Sequence, residues 1–200
     1  MTNHYFSQTP GSESDPKFWE YLLKGRKFRF KTDAGVFSKK EVDFGSRLLI
    51  ETFEPPEVDG PFLDAGCGYG PIGLSVASAF PERMIHMVDV NLRALSLAKD
   101  NAVLNQIENV NIYESDRLTG VVEQGFAAVL TNPPIRAGKK VVFDFFRQSY
   151  EKLVKGGVLW VVIQKKQGAP SALKEIESLF GRAEVIDRSK GYYIIKAEKC

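Results

Sequence analysis

From Pro61 onward, short apolar runs alternate with segments whose apolar residues recur three or four positions apart. The runs at 62–64, 84–88, 110–113, 126–130 and 158–163 predict strands, and the last is apolar enough to be buried on both faces. The intervening segments predict helices. One spans Pro71–Ala79 with proline in its first turn. A second starts at the cap Asn91 and carries Leu92, Leu95, Ala98 and Ala102. A third covers 141–153, and a fourth runs from Pro170 to the stop at Gly181. Segments 183–186 and 192–195 predict two further strands with a tight connection at 189–191. Such a connection is too short for a parallel crossover, so this last pair is antiparallel. Strands alternating with helices predict an α/β fold: a mostly parallel sheet covered on both faces.

The N-terminal part is less regular. The first fourteen residues are polar and predict a loose arm. Asp15-Pro16 predicts the start of a short helix over 17–23, ended by Lys24-Gly25. Phe28-Arg29-Phe30-Lys31 alternates as a half-buried strand does, and Asp33-Ala34-Gly35 predicts a turn into a short return strand at Val36-Phe37. Ser38 is the expected cap of a helix carrying Val42, Leu49 and Phe53, stopped by Pro55-Pro56. Residues 1–55 are thus an extension of helix, short hairpin and helix, packed on a domain spanning 56–200.

Composition narrows the class. Two hundred residues that are 44% hydrophobic and 26% charged describe an ordinary globular chain and exclude disorder over the whole length. Cys67 and Cys200 cannot make a disulfide framework, and with only His4 and His86 available no spacing suggests a metal site. The longest apolar run falls far below the ~20 residues that span a bilayer, and charges interrupt the first apolar stretch, so a cytoplasmic protein without a signal peptide is expected. A net charge of +2 says little about partners.

The chemistry concentrates in Asp64-Ala65-Gly66-Cys67-Gly68-Tyr69-Gly70, placed after a strand and opening a helix. Gly68, Gly70 and Gly73 also fit the dinucleotide fingerprint, and Asp89 ends the next strand where an acid binds ribose hydroxyls. Two features separate the candidate cofactors. Asp64 would repel a pyrophosphate but attract a cationic amino group. Asn132-Pro133-Pro134-Ile135, after a later strand, has no counterpart in the needs of a nicotinamide enzyme.

The glycine turn, Asp89, Ser115-Asp116 and Asn132-Pro-Pro-Ile together resemble, in order and spacing, the motifs of class I S-adenosylmethionine-dependent methyltransferases. Gly35-Val-Phe-Ser and Asp43-Phe-Gly-Ser-Arg-Leu-Leu look like the bacterial small-subunit rRNA guanine-N2 methyltransferase family, in its small one-domain relatives. The resemblance implies a Rossmann-like, seven-stranded sheet of order 3-2-1-4-5-7-6 with strand seven antiparallel. It implies that Asp64 faces the methionine ammonium and that the backbone of Ala65, Gly66, Cys67 and Gly68 lines the methionine part. Asp89 would take the ribose hydroxyls, Val90 and Asn91 would flank the adenine, and Asp116 would accept its exocyclic amine. Asn132 and the carbonyl of Pro133 would accept the two hydrogens of the target amine, held by the stiff Pro133-Pro134 pair. Many amine methyltransferases carry an aromatic where this chain has Ile135, so Phe37 or Tyr69 is the expected stacking partner. An aspartate at 132 keeps an acceptor of nearly the same shape, and is expected to retain more activity than alanine.

The same motif serves adenine-N6 and glutamine-amide methylation, and those alternatives stay open. A non-catalytic RNA-binding module is the reading from outside enzymes, and the intact Asn132-Pro133-Pro134 counts against it. His86, inside an apolar strand, is expected in the core, and Cys67 carries no nucleophilic role. Lys24, Arg26, Lys27, Arg29 and Lys31 place five cations in eight residues, interleaved with Phe28 and Phe30. Arg136, Lys139 and Lys140 follow the Asn-Pro-Pro loop, and Lys165 and Lys166 follow the next strand. These sets are the expected contacts to RNA, either small-subunit rRNA or its particle.

Overall fold

The computed structural model describes residues 14–34 and 41–200. Strands β1 (Lys17–Leu23) and β2 (Arg26–Thr32) form an antiparallel hairpin, followed by helix α1 (Phe44–Thr52). Then come β3 (Phe62–Ala65), α2 (Pro71–Ala79), β4 (Ile85–Asp89), α3 (Leu92–Leu104), β5 (Val110–Glu114) and β6 (Phe126–Thr131). The chain closes with α4 (Lys139–Lys152), β7 (Leu153–Gln164), α5 (Ala169–Phe180), β8 (Glu184–Ser189) and β9 (Tyr192–Glu198).

Strands β3 to β9 make one sheet in the order β5-β4-β3-β6-β7-β9-β8. Numbered from β3, this is the expected 3-2-1-4-5-7-6, with β9 antiparallel to both β7 and β8. Alternation along each strand divides the core into two layers. Phe62 faces the layer shared with α1, α2, α3 and the hairpin, including Leu49, Phe53, Leu74 and Trp160. Leu63 faces the opposite layer, with Phe146 of α4 and Ile176 of α5. The expected core histidine is one: His86 is buried, and its Nδ1 lies 2.9 Å from the Tyr113 hydroxyl. Among the described residues no helix is long and apolar enough to cross a membrane, and no three metal-ligating side chains cluster.

The expected helix over 17–23 is a strand instead. Residues Phe18, Glu20 and Leu22 face outward, while Trp19, Tyr21 and Leu23 turn toward the core. Lys24 and Gly25, at φ +46° and +74°, form the two-residue loop that a tight hairpin requires. The return partner of β2 is therefore the segment before it. The return strand expected at Val36-Phe37, the cap Ser38 and most of the polar arm lie outside the described residues. Helix α1 begins at Phe44, and its cap is Asp43, whose Oδ2 accepts from Ser46 N at 3.0 Å. Lys190-Gly191 repeats the positive-φ loop between β8 and β9.

The hairpin is fastened to α3 by two asparagines one helical turn apart. Asn105 accepts from Arg29 N at 2.9 Å and donates to Arg29 O at 2.8 Å. Asn101 accepts from Lys31 N at 2.7 Å and donates to Lys31 O at 3.0 Å. Each side-chain amide thus pairs with the edge of β2 as a neighbouring strand would. Asn101 also donates to Tyr69 O at 2.9 Å, which ties the glycine turn to the same unit. Asn101→Ala or Asn105→Ala is expected to cost about 1–3 kcal/mol, because buried strand groups lose their partner. Chemical denaturation measures it; a loss below about 0.5 kcal/mol would mean that water replaces the amide.

Candidate active site

The carboxyl ends of β3, β4, β5 and β6 converge beside the β3–β6 junction, where the connections change direction across the sheet. Open α/β sheets bind ligands at such a point. A cavity of about 430 Å³ opens there. Its wall includes Gly66, Cys67 and Gly68 from the glycine turn, Asp89 and Val90 from the end of β4, and Ser115 and Asp116 after β5. Asn132, Pro133, Pro134, Ile135 and Arg136 complete it from the loop after β6.

Gly66, at φ +79°, shows why this turn needs glycine. A Cβ there would meet no protein atom within 4 Å, so the backbone itself faces open space. Asp89 braces the turn: its Oδ2 accepts from Gly68 N at 2.9 Å and its Oδ1 from Asn91 N at 2.8 Å. Burial pushes the Asp89 carboxyl up, and these backbone donors pull it back. A carboxylate offers about four acceptor sites, so beyond the backbone donors from Gly68, Val90 and Asn91, Asp89 keeps capacity for a further hydroxyl. The chain's own groups therefore fit a cofactor that carries a ribose.

Asp64 lies beneath this wall, not on it. Its Oδ2 accepts from Gly73 N at 2.8 Å, and its buried Oδ1 has no hydrogen-bond partner. Burial, assisted by the nearby Asp89 charge, raises its carboxyl to about 7. Ala65 is also off the wall. Asn91 is fully buried as the cap of α3, accepting from Ala94 N at 3.1 Å, so the expected place beside an adenine falls to Val90. Asp116 is on the wall, but both its oxygens are engaged by the Arg117 guanidinium at 3.1 and 2.8 Å. The Cys67 thiol is driven well up by burial and stays neutral, in keeping with its lack of a nucleophilic role.

Asn132 is held from outside the sheet. Its Nδ2 donates to Ser46 Oγ at 3.0 Å and to Asp43 Oδ2 at 3.3 Å, both on the first turn of α1. A carboxylate only accepts, so the amide must turn its nitrogen toward Asp43. Its carbonyl is left for a donor in the cavity. Burial raises the Asp43 carboxyl, and the contacts from Ser46 and Asn132 oppose that rise.

Of the expected stacking partners, Phe37 lies outside the described residues. Tyr69 lines the cavity, but its ring is buried and packs edge-on against Trp19 and Phe30. The aromatic side chain on the wall near Asn132's holders is Tyr192, at the start of β9, whose ring lies 5.6 Å from that of Phe44. Gly45 makes this possible, since a Cβ there would stand 2.7 Å from the Tyr192 ring. Asp43, Ser46, Arg117 and Tyr192 are thus site residues to which motif reading assigned no role.

The cations divide into two sets. In the hairpin, Arg26 donates to Ser78 Oγ and to Asn105 O, Lys31 pairs with Asp100 at 2.8 Å, Lys27 with Glu20 at 3.3 Å, and Lys24 reaches Phe53 O. Arg29 lies over the Phe18 ring, and Phe28 and Phe30 are core residues that cannot stack on a base. Near the cavity, Arg136, Lys139 and Lys140 are exposed. Arg47 and Lys190 both lie over the Phe44 ring, at 5.2 and 4.8 Å, and pair with no carboxylate among the described residues.

Comparison with known proteins agrees with this geometry. The family model of the methyltransferase small domain matches residues 27–196. The chain is 58% identical over the full length of both proteins to Uncharacterized protein YbxB of Bacillus subtilis. It is 34% identical to Ribosomal RNA small subunit methyltransferase C of Hahella chejuensis, over 96% of this chain and 58% of that protein. Among solved structures it resembles the T. thermophilus 16S rRNA N2 G1207 methyltransferase in complex with AdoMet and guanosine. The TM-score is 0.82 at 26% identity, over 96% of this chain and 52% of that one. The chain thus spans little more than half the length of these rRNA methyltransferases. With most of its length matched and the cofactor-type turn and Asn-Pro-Pro loop on one cavity, the chain belongs to the methyltransferase small-domain family of class I S-adenosylmethionine-dependent methyltransferases.

Proposed function

We propose that this chain is a cytoplasmic enzyme that methylates the exocyclic N2 of a guanine in small-subunit rRNA, with S-adenosylmethionine as methyl donor. The observation that carries the reading is the orientation of Asn132, whose amide nitrogen is held by Ser46 and Asp43 while its carbonyl stays available to the cavity. When bound, S-adenosylmethionine supplies a sulfonium-activated methyl group. Asp89 would hold its ribose, and the open backbone of Gly66 to Gly68 would line the methionine part. An exocyclic amine is a poor nucleophile because its lone pair is delocalised into the ring. The Asn132 and Pro133 carbonyls accept its two hydrogens and hold the lone pair out of conjugation. They also favour the positive charge that develops on nitrogen, so orientation and electrostatics do the work without a strong base. A guanine within a stem has to be flipped out to reach them. The names of the matched relatives support rRNA as the substrate.

Incubation with labelled S-adenosylmethionine and unmodified small-subunit rRNA or particles, followed by nucleoside analysis, tests this directly. N2-methylguanosine is expected; N6-methyladenosine or labelled protein would replace the reading. The cations near the cavity are expected to carry the electrostatic contact. Neutralising Arg47, Lys139 and Lys190 together should flatten the salt dependence of RNA binding by about 0.7–0.9 per lost phosphate contact. Neutralising Lys27 and Arg29 should change it little, and the opposite ranking would return the contact to the hairpin.

A further inference from the structure

We infer that Asp43 reads the ring N–H of the target guanine while it holds Asn132, and so sets guanine apart from adenine. The inference rests on the guanine-N2 reading above. The hydrogen bonds to the Asp43 carboxylate from Ser46 N and from Asn132 Nδ2 both land on Oδ2, and the Ser46 side chain and Gly45 backbone also approach the group. Asp43 is itself on the cavity wall, so Oδ1 is the atom left for a donor brought in by substrate. Asn132, whose carbonyl is the acceptor for the exocyclic amine, lines the same wall. The wall therefore offers one acceptor from each residue.

Guanine presents two adjacent donors, N1–H and the N2 amine. Adenine presents its N6 amine next to a bare N1 lone pair. With guanine, the two acceptors meet two donors. With adenine, the lone pair would face a carboxylate that can only accept, and neither would find a partner. A glutamine side-chain amide brings no ring donor and leaves Oδ1 unused. A site built to bond a substrate N–H rejects an analogue lacking it, because the site's own polar atom is then left unpaired. The Asn132 amide alone cannot make this distinction, since every planar NH₂ group satisfies it.

The test uses the protein saturated with S-adenosylhomocysteine, so that nucleosides meet only the substrate side of the cavity. Guanosine and 2-aminopurine riboside are titrated by calorimetry; the second keeps the 2-amino group but carries a bare ring N1. Wild type is expected to bind guanosine about ten- to a hundredfold more tightly. Asp43→Ser keeps a good helix cap but removes the carboxylate, and should bring the two ligands within about threefold. Ser46→Ala, which removes the other holder of Asn132, should preserve the preference; its loss there would assign the effect to the helix turn as a whole. Equal binding of the two nucleosides by wild type, or an unchanged preference in Asp43→Ser, overturns the inference and leaves the guanine-N2 reading intact. Failure of wild type to bind guanosine overturns both.

Discussion

Replacing Asn132 by aspartate is expected to stop methyl transfer more completely than replacing it by alanine. The sequence taken alone suggests the reverse, because a carboxylate preserves the acceptor. The structure changes the sign, since the Asn132 nitrogen points at Asp43 Oδ2 at 3.3 Å. A carboxylate in its place would set two like charges against each other in a site where burial already raises the Asp43 carboxyl. Asn132→Ala, which loses one preorganised acceptor, should lower the single-turnover rate by about 10²–10³. Asn132→Asp should fall about tenfold further at pH 8 and recover as the pH drops and the pair takes up a shared proton. The exchange Asp43→Asn with Asn132→Asp restores a donor facing an acceptor, and its rate at saturating RNA should return to within about tenfold of wild type. If Asn132→Asp outperforms Asn132→Ala at pH 8, Asp43 does not hold the amide in solution.

Asp64 is expected to make both the stability of the free protein and its cofactor affinity depend on pH around 7. Its carboxyl titrates near 7 when folded against an ordinary value of 3.8, because it is buried with one oxygen unpartnered. The folded state therefore holds the proton more tightly than the unfolded chain. The resulting stabilisation is fully present below about pH 4, declines as the pH rises, and is gone above about 7, with a ceiling of roughly 4 kcal/mol. Asp64→Asn should flatten this profile. At pH 8 it should raise stability by about 1–3 kcal/mol, the buried NH₂ offsetting part of the relief. Urea melts at pH 5 and pH 8 give the comparison. On the proposed placement of the cofactor's amino group toward Asp64, its positive charge would favour the carboxylate, and binding would then release a proton below pH 7. Affinity then rises with pH up to that point, by at most about tenfold per unit. Calorimetry in buffers of different ionisation enthalpy counts the proton. No released proton together with no pH dependence of stability would mean that Asp64 is ionised in the free protein.

How far the sequence reaches depends on whether a signal is local. The buried strands β3, β4, β6 and β7 were legible because each is an apolar run bounded by turn residues. Helix α3 was legible from its cap and spacing, although the same cap, Asn91, was also assigned to the cofactor. The segment 17–23 was misread because it satisfies two periods at once. Phe18 and Leu22 suit a helix, while Trp19, Tyr21 and Leu23 suit a strand. The deciding turn carries a lysine at positive φ, a conformation that lysine rarely announces. Within the site, contiguous motif residues such as Gly66, Asp89 and Asn132 were found. Asp43, Ser46, Arg117 and Tyr192 received no role, because what they do depends on which atoms the fold brings opposite them. Asn101 and Asn105 look like solvent-facing positions on a helix until a strand edge lies against them.

The two asparagine rungs also limit the size of what they hold. Four residues of helix advance about 6.0 Å, and two residues of strand about 6.6–6.8 Å. The two spacings act as the scales of a vernier, close enough to coincide at Arg29 and Lys31 but drifting by about 0.6–0.8 Å per rung. A third asparagine one turn further along α3 would be out of step by about 1.2–1.6 Å, beyond the tolerance of a good hydrogen bond. Helix α3 can therefore clasp two rungs of a parent strand and no more. Lengthening the hairpin at its Lys24-Gly25 tip would add strand that this clasp cannot grip, whereas sliding β2 by one residue would turn Phe28 and Phe30 out of the core.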